Sequence, residues 1–264
     1  MVSEEKNYSK LIKKNRVIAR LDIKGSNLIK GISFEGLRVI GSPIEFAEKY
    51  YTEGIDELIY IDTVATLYGR NNLLDLVKKV GEKVFIPITV GGGIRSVEDA
   101  RNFLNAGADK VGVNTAAVNN PKILKEISSR FGNQCLVLII DAKKVGDNKW
   151  EVFTENGRER TGKDVVKWAQ EANKLGIGEI LLTSIDKDGT LKGPEIDLVI
   201  EVKKVINVPL VVSGGIGEIS HIQNLFDKTH NYNLAIGTAL HKKILKIDEI
   251  KKFLKNNNFQ CKKW

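Results

Sequence analysis

Two aspartates stand at the ends of apolar runs, Asp22 in RLDIK and Asp141 in IIDAK. A carboxylate placed there costs free energy unless it is exposed or partnered. One reading is structural: each caps a turn or pairs with a nearby lysine, Lys24 or Lys143. The other is chemical: a general acid and a general base face each other across a substrate. That second reading requires surroundings that separate the two pKa values.

Glycines flank both aspartates further along the chain. Gly92 and Gly93 lie in TVGGGI, and Gly214 and Gly215 lie in VSGGI, with Pro87 and Pro209 before the two runs. Glycine lets backbone N–H groups approach an anion, and a following helix adds the positive end of its dipole. Each loop also neighbours a strand that ends in threonine, Asn114-Thr115 in one case and Gly237-Thr238 in the other. A threonine hydroxyl can donate to a phosphate oxygen. Glycines also make tight turns with no ligand involved. Two such loops at equivalent places instead imply a long substrate carrying a phosphate at each end.

Residues so arranged need a repeated frame. Apolar runs occur at 17–23, 57–62, 85–90, 110–114, 136–142, 179–184, 209–214 and 234–238. Segments with helical spacing lie between them, among them PIEFAEKYYTEG, SVEDARNFLNAG and DVVKWAQEANKLG, and Ser96 with Asp99 reads as a helix start. Strand then helix, repeated, predicts parallel strands joined by right-handed crossovers. An open doubly wound sheet alternates in the same way, but the strand count and length favour a closed (β/α)8 TIM barrel, one domain over 1–264. The active site of such a barrel lies at the carboxyl ends of its strands. Gly92 and Gly214 are 122 positions apart, as are Glu57 and Glu179. The barrel therefore reads as two fused half-barrel repeats, about 16–132 and 133–257. KWEVFTENGRER alternates and turns at Asn156-Gly157, which predicts a small hairpin on the top face.

Composition narrows the partners. The 264 residues carry a formal charge of +8, from 41 basic and 33 acidic side chains. Charge alone is a weak sign of nucleic acid, and no helix-turn-helix, zinc spacing or aromatic-basic interleaving accompanies it. Anionic small substrates or an acidic partner account for the excess equally well. No signal-peptide core or membrane-length apolar run is present. Of the two cysteines, Cys135 and Cys261, the first lies in QCLVLII and is expected to be a buried small hydrophobe, in keeping with a reducing cytoplasm. The motifs call for no metal and no cofactor.

These motifs together resemble the cyclase subunit of imidazole glycerol phosphate synthase, an enzyme of histidine biosynthesis. The resemblance runs over about residues 16–257. It rests on LDIK, KGISFEGLR, GIDELIYID, TVGGGIRS, GADKVGVNTAAV, IDAKK, FTENGRERTG, GEILLTSIDKDGT and SGGIG. It implies a lyase that uses ammonia to cyclise a bisphosphorylated ribulosyl-formimino nucleotide. The products are imidazole glycerol phosphate and aminoimidazole carboxamide ribotide. By the same resemblance Asp22 and Asp141 are catalytic, Lys30 belongs to a mobile first loop that reaches the site, and Asn114, Thr115, Thr183 and Asp188 match active-site positions. It further implies a heterodimer with a glutaminase docked at the lower face. Ammonia would enter there through a gate formed by Arg16, Glu57, Lys110 and Glu179. Four charges at strand starts must form a compensated cluster, which could equally plug the barrel end.

Several stretches depart from the family pattern. Arg20 stands where a cysteine is usual, the extension before Arg16 is long, and AIGTALHKK alters the end of the eighth strand. TVATLYGRNNLL is closer to paralogues of surface-sugar pathways, which resemble the cyclase and supply ammonia for amidation of a sugar. The alternative function is therefore that of such an ammonia-supplying subunit. Retention of both aspartates, Lys30 and both glycine loops favours the enzyme.

Overall fold

The structure, a computed structural model, describes residues 15–64, 72–231 and 233–257. The segment before Asn15, most of TVATLYGRNNLL and the tail with Cys261 lie outside the described residues.

Eight parallel strands close on themselves. β1 (Arg16–Lys24), β4 (Glu57–Asp62), β5 (Ile88–Gly91) and β6 (Lys110–Val113) are followed around the ring by β7 (Leu136–Gly146), β10 (Glu179–Ser184), β11 (Leu210–Ser213) and β12 (Asn233–Ile236). β12 pairs with β1, and β10 pairs with β7, so no barrel edge is left open. The expected (β/α)8 barrel is present, with the third barrel strand, β5, starting three residues later than the apolar run 85–90 suggests.

Side-chain alternation sorts the strands into two cores. On β1, Val17, Ala19, Leu21 and Ile23 face outward into the large cluster shared with the helices. Ile18 faces inward and meets Ile59, Ile61, Val137, Ile139, Leu181, Val211 and Ala235 in a second cluster inside the ring. Arg16, Arg20 and Asp22 share the parity of Ile18, so the same two-residue period carries all three toward the barrel axis.

The helices begin where the side chains can cap them. Ser42 accepts from the Glu45 backbone N–H, with Pro43 at the first helical position of Pro43–Thr52. Ser96 accepts from the Asp99 N–H at 3.1 Å at the start of Val97–Asn105, as its spacing predicts. Backbone conformation recurs at the 122-residue offset. Gly92 and Gly214 have φ of 93° and 98°. One position further around the ring, Asn114 and Gly237 share an unusual geometry, φ/ψ of −122°/−86° and −110°/−83°.

Two antiparallel hairpins stand on the top face. β8 (Lys149–Thr154) and β9 (Glu159–Asp164) form the one that the alternation predicts, extending β7. β2 (Asn27–Ile32) and β3 (Glu35–Gly41) form another directly after β1, where the sequence pattern shows only a loop. Cys135 departs from expectation. It lies in the short 3-10 turn Asn133–Cys135 before β7 and is partly exposed, because the apolar run enters the ring only at Leu136. Among the described residues, no helix is long and apolar enough to cross a membrane.

Candidate active site

Asp22 and Asp141 end up inside the barrel mouth, each near the carboxyl end of its strand and each buried. Neither uses the lysine that the sequence offers as a local partner. Asp22 accepts from Arg20 Nε at 2.8 Å through one oxygen and from Lys30 Nζ at 2.7 Å through the other. Lys24 is exposed at the strand end, and Lys143 lies over the Phe153 ring. Position along the strand explains this: residues 20, 22 and 24 share one parity, but Lys24 is the last residue of β1 and stands above the mouth in solvent, whereas Arg20 lies one period below Asp22 inside the ring.

Lys30 comes from the β2–β3 hairpin, which folds over the mouth. Its Nζ also donates to Asp188 Oδ2 at 2.9 Å. Ser33 N–H donates to the Asp188 carbonyl at 2.9 Å, and Phe34 stacks its ring 5.4 Å from the Arg20 guanidinium carbon. A Cβ on Gly157 would lie 2.8 Å from the Phe34 ring, so that turn needs glycine to meet the hairpin. The expected mobile first loop is thus a closed strap in this conformation.

The two aspartates sit in opposite surroundings. Burial favours the neutral acid at Asp22, but Arg20 and Lys30 outweigh it and hold the carboxyl well below its usual range. At Asp141 burial dominates, Arg20 offsets part of it, and the charge of Asp22 adds to it, so the pKa is pushed up to about 6. Asp141 Oδ2 accepts from Asn114 Nδ2 at 2.9 Å, while its Oδ1 is buried with no partner. Burial opposes the Lys30 charge, but Asp22 and Asp188 more than restore it. His241, whose Nδ1 meets the Tyr50 hydroxyl at 2.7 Å, is kept neutral, its pKa lowered to about 4 by burial and by Lys30.

Hollows flank the mouth. The first, of about 380 Å³, is lined by Gly92, Gly93, Asn114, Thr115, Asp141 and Asn156. Asn114 Oδ1 and Asn156 Nδ2 are buried there without partners, which suits a polar ligand. The second is lined by Asp188, Gly214, Gly215, Gly237 and Thr238, and it holds only about 10 Å³. Thr238 Oγ1 is buried and unpartnered beside it. Glycine is required in both loops: a Cβ on Gly92 would come within 2.3 Å of the Asp62 carbonyl oxygen, and one on Gly214 within 2.8 Å of that of Ser184. Thr183 lines neither hollow. Fully buried on β10, it accepts from Arg20 Nη1 at 2.7 Å.

At the opposite end of the barrel, Arg16, Glu57, Lys110 and Glu179 do meet. Arg16 donates to Glu57 and Glu179, and Lys110 reaches Glu57 at 3.1 Å and Glu179 at 2.7 Å. Burial favours the protonated form of Glu179, yet the two cations outweigh it and hold its pKa below the usual range.

Sequence reading did not assign roles to Arg20, Ser213, Phe34, Asn156 or His241. Arg20 carried a usable signal, a charge two residues from Asp22 within an apolar strand, hence on the same inward face. Among the described residues, no group of three or more His, Cys, Asp or Glu side chains is arranged to hold a metal ion.

Comparison with known proteins identifies the family. A family model described as "Histidine biosynthesis protein" matches residues 16–246. The imidazole glycerol phosphate synthase subunit HisF of Legionella pneumophila is 60% identical over 204 residues, 77% of this chain and 96% of that protein. The subunits of the same name from Clostridium botulinum (strain Okra / Type B1) and Bacillus cereus (strain Q1) are each 44% identical, over 94% of this chain and 98% of theirs. With its barrel, paired aspartates and glycine loops, the chain belongs to the histidine biosynthesis protein family, among the HisF subunits of imidazole glycerol phosphate synthase.

Proposed function

We propose that the chain is the cyclase subunit of imidazole glycerol phosphate synthase, working with Asp22 and Asp141 as an acid–base pair. The carrying observation is that both carboxylates sit buried in one mouth in opposite surroundings, Asp22 held between Arg20 and Lys30 and Asp141 bonded only to the Asn114 amide, which drives their pKa values apart. Ring closure requires a proton to leave the attacking nitrogen and another to reach the departing group. One carboxylate in one state cannot do both. Asp22 is held as an anion, and Asp141 can carry a proton near neutral pH.

The substrate's two phosphates would lie at Gly92–Gly93 with Thr115 and at Gly214–Gly215 with Thr238. Asn114 and Asp188 would face the atoms between them. The second hollow, at about 10 Å³, is smaller than a phosphate, so binding there requires its lining loops to open. We assign the partner as a glutaminase at the lower face, delivering ammonia past Arg16, Glu57, Lys110 and Glu179. The relatives are named as subunits, which supports an assembly.

The test is turnover of the bisphosphorylated ribulosyl-formimino nucleotide with saturating ammonium as nitrogen source. Release of both imidazole glycerol phosphate and the carboxamide ribotide is the expected result. No turnover with ammonium, or with a glutaminase and glutamine, would overturn the cyclase assignment. The ammonia-supplying subunit would then be the better account.

A further inference from the structure

Arg20 is a buried cation for which the acid–base scheme has no role, and its side chain is 3% exposed. It rises from β1 beneath Asp22 and crosses the mouth. Nε donates to Asp22 Oδ1 at 2.8 Å, and Nη1 donates to Thr183 Oγ1 on β10 at 2.7 Å and to Ser213 Oγ on β11 at 3.2 Å. A guanidinium fork is rigid, so contacts to three strands fix its plane, and the plane fixes the carboxylate.

The charges around it form a closed set. Arg20 and Lys30 are the cations; Asp22 and Asp188 are the anions. Both Asp22 oxygens take bonds from cationic donors, and Lys30 bridges to Asp188. The other groups facing the cluster are uncharged: Thr183 on β10, Ser213 on β11 and neutral His241 in the turn after β12. The set is neutral without Asp141. That carboxylate faces it from β7, bonded only to the uncharged Asn114 amide, with one oxygen unpartnered beside the larger hollow. Asp62, Arg95 and Glu155 line that same hollow, and an ionised Asp141 would be a fifth charge, at a buried position, that the four-charge cluster does not compensate.

We propose, on the strength of the acid–base reading above, that Arg20 is a positioning residue. It completes a neutral four-charge cluster with Asp22, Lys30 and Asp188, keeping Asp22 an anion in one orientation and leaving Asp141 to exchange the proton. Loss of the Arg20 charge leaves the cluster with a net negative charge. Ionisation of Asp141 then becomes harder, and its titration moves to higher pH. Lysine at the position keeps the charge but loses the fork.

Two measurements on the full chain test this. In carbon NMR of protein labelled at the aspartate carboxyls, with the Asp141 signal assigned by its loss in Asp141→Asn, the parent should show Asp141 titrating near pH 6 and Asp22 silent from pH 5 to 8. In Arg20→Met the Asp141 midpoint should rise by about one unit or more, while Arg20→Lys should stay near the parent. With ammonium as nitrogen source, both variants should lose roughly 10- to 100-fold in kcat through misorientation, with KM little changed. Only Arg20→Met should also displace the pH–rate limb upward. Arg20→Gln replaces Arg20→Met if circular dichroism shows that the latter is unfolded. An unmoved Asp141 midpoint in the charge-removing variant, or Asp22 titrating beside Asp141 in the parent, overturns the proposal. A parent with the expected titrations but no turnover overturns the reaction assigned above and leaves the charge arrangement standing.

Discussion

Two equivalent corners of the mouth have been given opposite chemistry. Two residues before Asp22 on the inward face stands Arg20; two residues before Asp141 stands Ile139. Arg20 reaches the hydroxyls of Thr183 and Ser213. The positions 122 residues earlier are Ile61 and Gly91, and a Cβ on Gly91 would strike the Cδ1 atoms of Ile139 and Ile61 at 2.6 and 2.8 Å. One corner is a polar nest for a guanidinium, and the other is packed with hydrocarbon. The strand positions are shared, so the difference in acidity comes from neighbours rather than from the aspartates. A barrel places two identical side chains symmetrically and then distinguishes them by what surrounds each one.

The largest expected effect is on rate. Asp22→Asn and Asp141→Asn should each lower ammonia-dependent turnover roughly 10²–10⁴-fold with little change in substrate affinity. Parent-like rates in both would remove the acid–base assignment altogether.

Stability should separate the same two variants by sign. Asp22→Asn leaves Arg20 and Lys30 facing a neutral amide, and it should cost about 3–5 kcal/mol in denaturant unfolding at pH 7. Asp141 behaves in the opposite way. Its folded pKa, about 6, lies above the ordinary 3.8, so the folded protein binds more protons than the unfolded chain between those values. The contribution of Asp141 is therefore full below pH 3.8 and is lost as pH rises through 6. Asp141→Asn should be more stable than the parent at pH 8 by up to about 3 kcal/mol, and the gain should vanish near pH 4. Equal destabilisation by both substitutions at pH 8 would mean that the two corners are alike.

The lower ring offers a further contrast, because its charges are fully compensated. Glu179→Gln should cost about 1–3 kcal/mol and should lower glutamine-driven more than ammonium-driven turnover. Equal loss of both would indicate damage to the fold rather than to a passage. The smallest effect concerns the hollows. Inorganic phosphate titrated into the chain should perturb the amide signals of Gly93 and Thr115 before those of Gly215 and Thr238, because the first hollow is far larger than the second. The reverse order would place the accessible anion site in the second half.

Much of this architecture was legible in the sequence because it depends on a two-residue period and on strand ends. The apolar runs locate the strands and their ends locate Asp22, Asp141 and the glycine loops, whereas the four charges at their starts are singled out by the family resemblance. The β2–β3 hairpin escaped because its burial does not alternate: Leu28, Ile29 and Lys30 are buried in succession, whereas Ile32, Val39 and Ile40 are all exposed. The partners of Arg20 escaped for another reason. Thr183 and Ser213 lie 163 and 193 residues away in sequence, and only ring closure brings them near. The inequality of the hollows is a matter of side-chain and loop packing, which no spacing records.

At the base of the barrel, each glutamate touches both cations and each cation touches both glutamates, so the signs alternate around a closed square. Such an arrangement has neither net charge nor a large dipole, and its field fades within a few ångströms, well inside the Debye length of about 8 Å in physiological salt. Changing the ionic strength should therefore leave the ring almost untouched, while exposed pairs such as Lys252–Asp248 are screened. An uncharged molecule meeting the ring encounters almost no potential until contact, whereas an ion must exchange its hydration shell for a set of bonds already made. The square would therefore select by charge state without carrying a charge of its own.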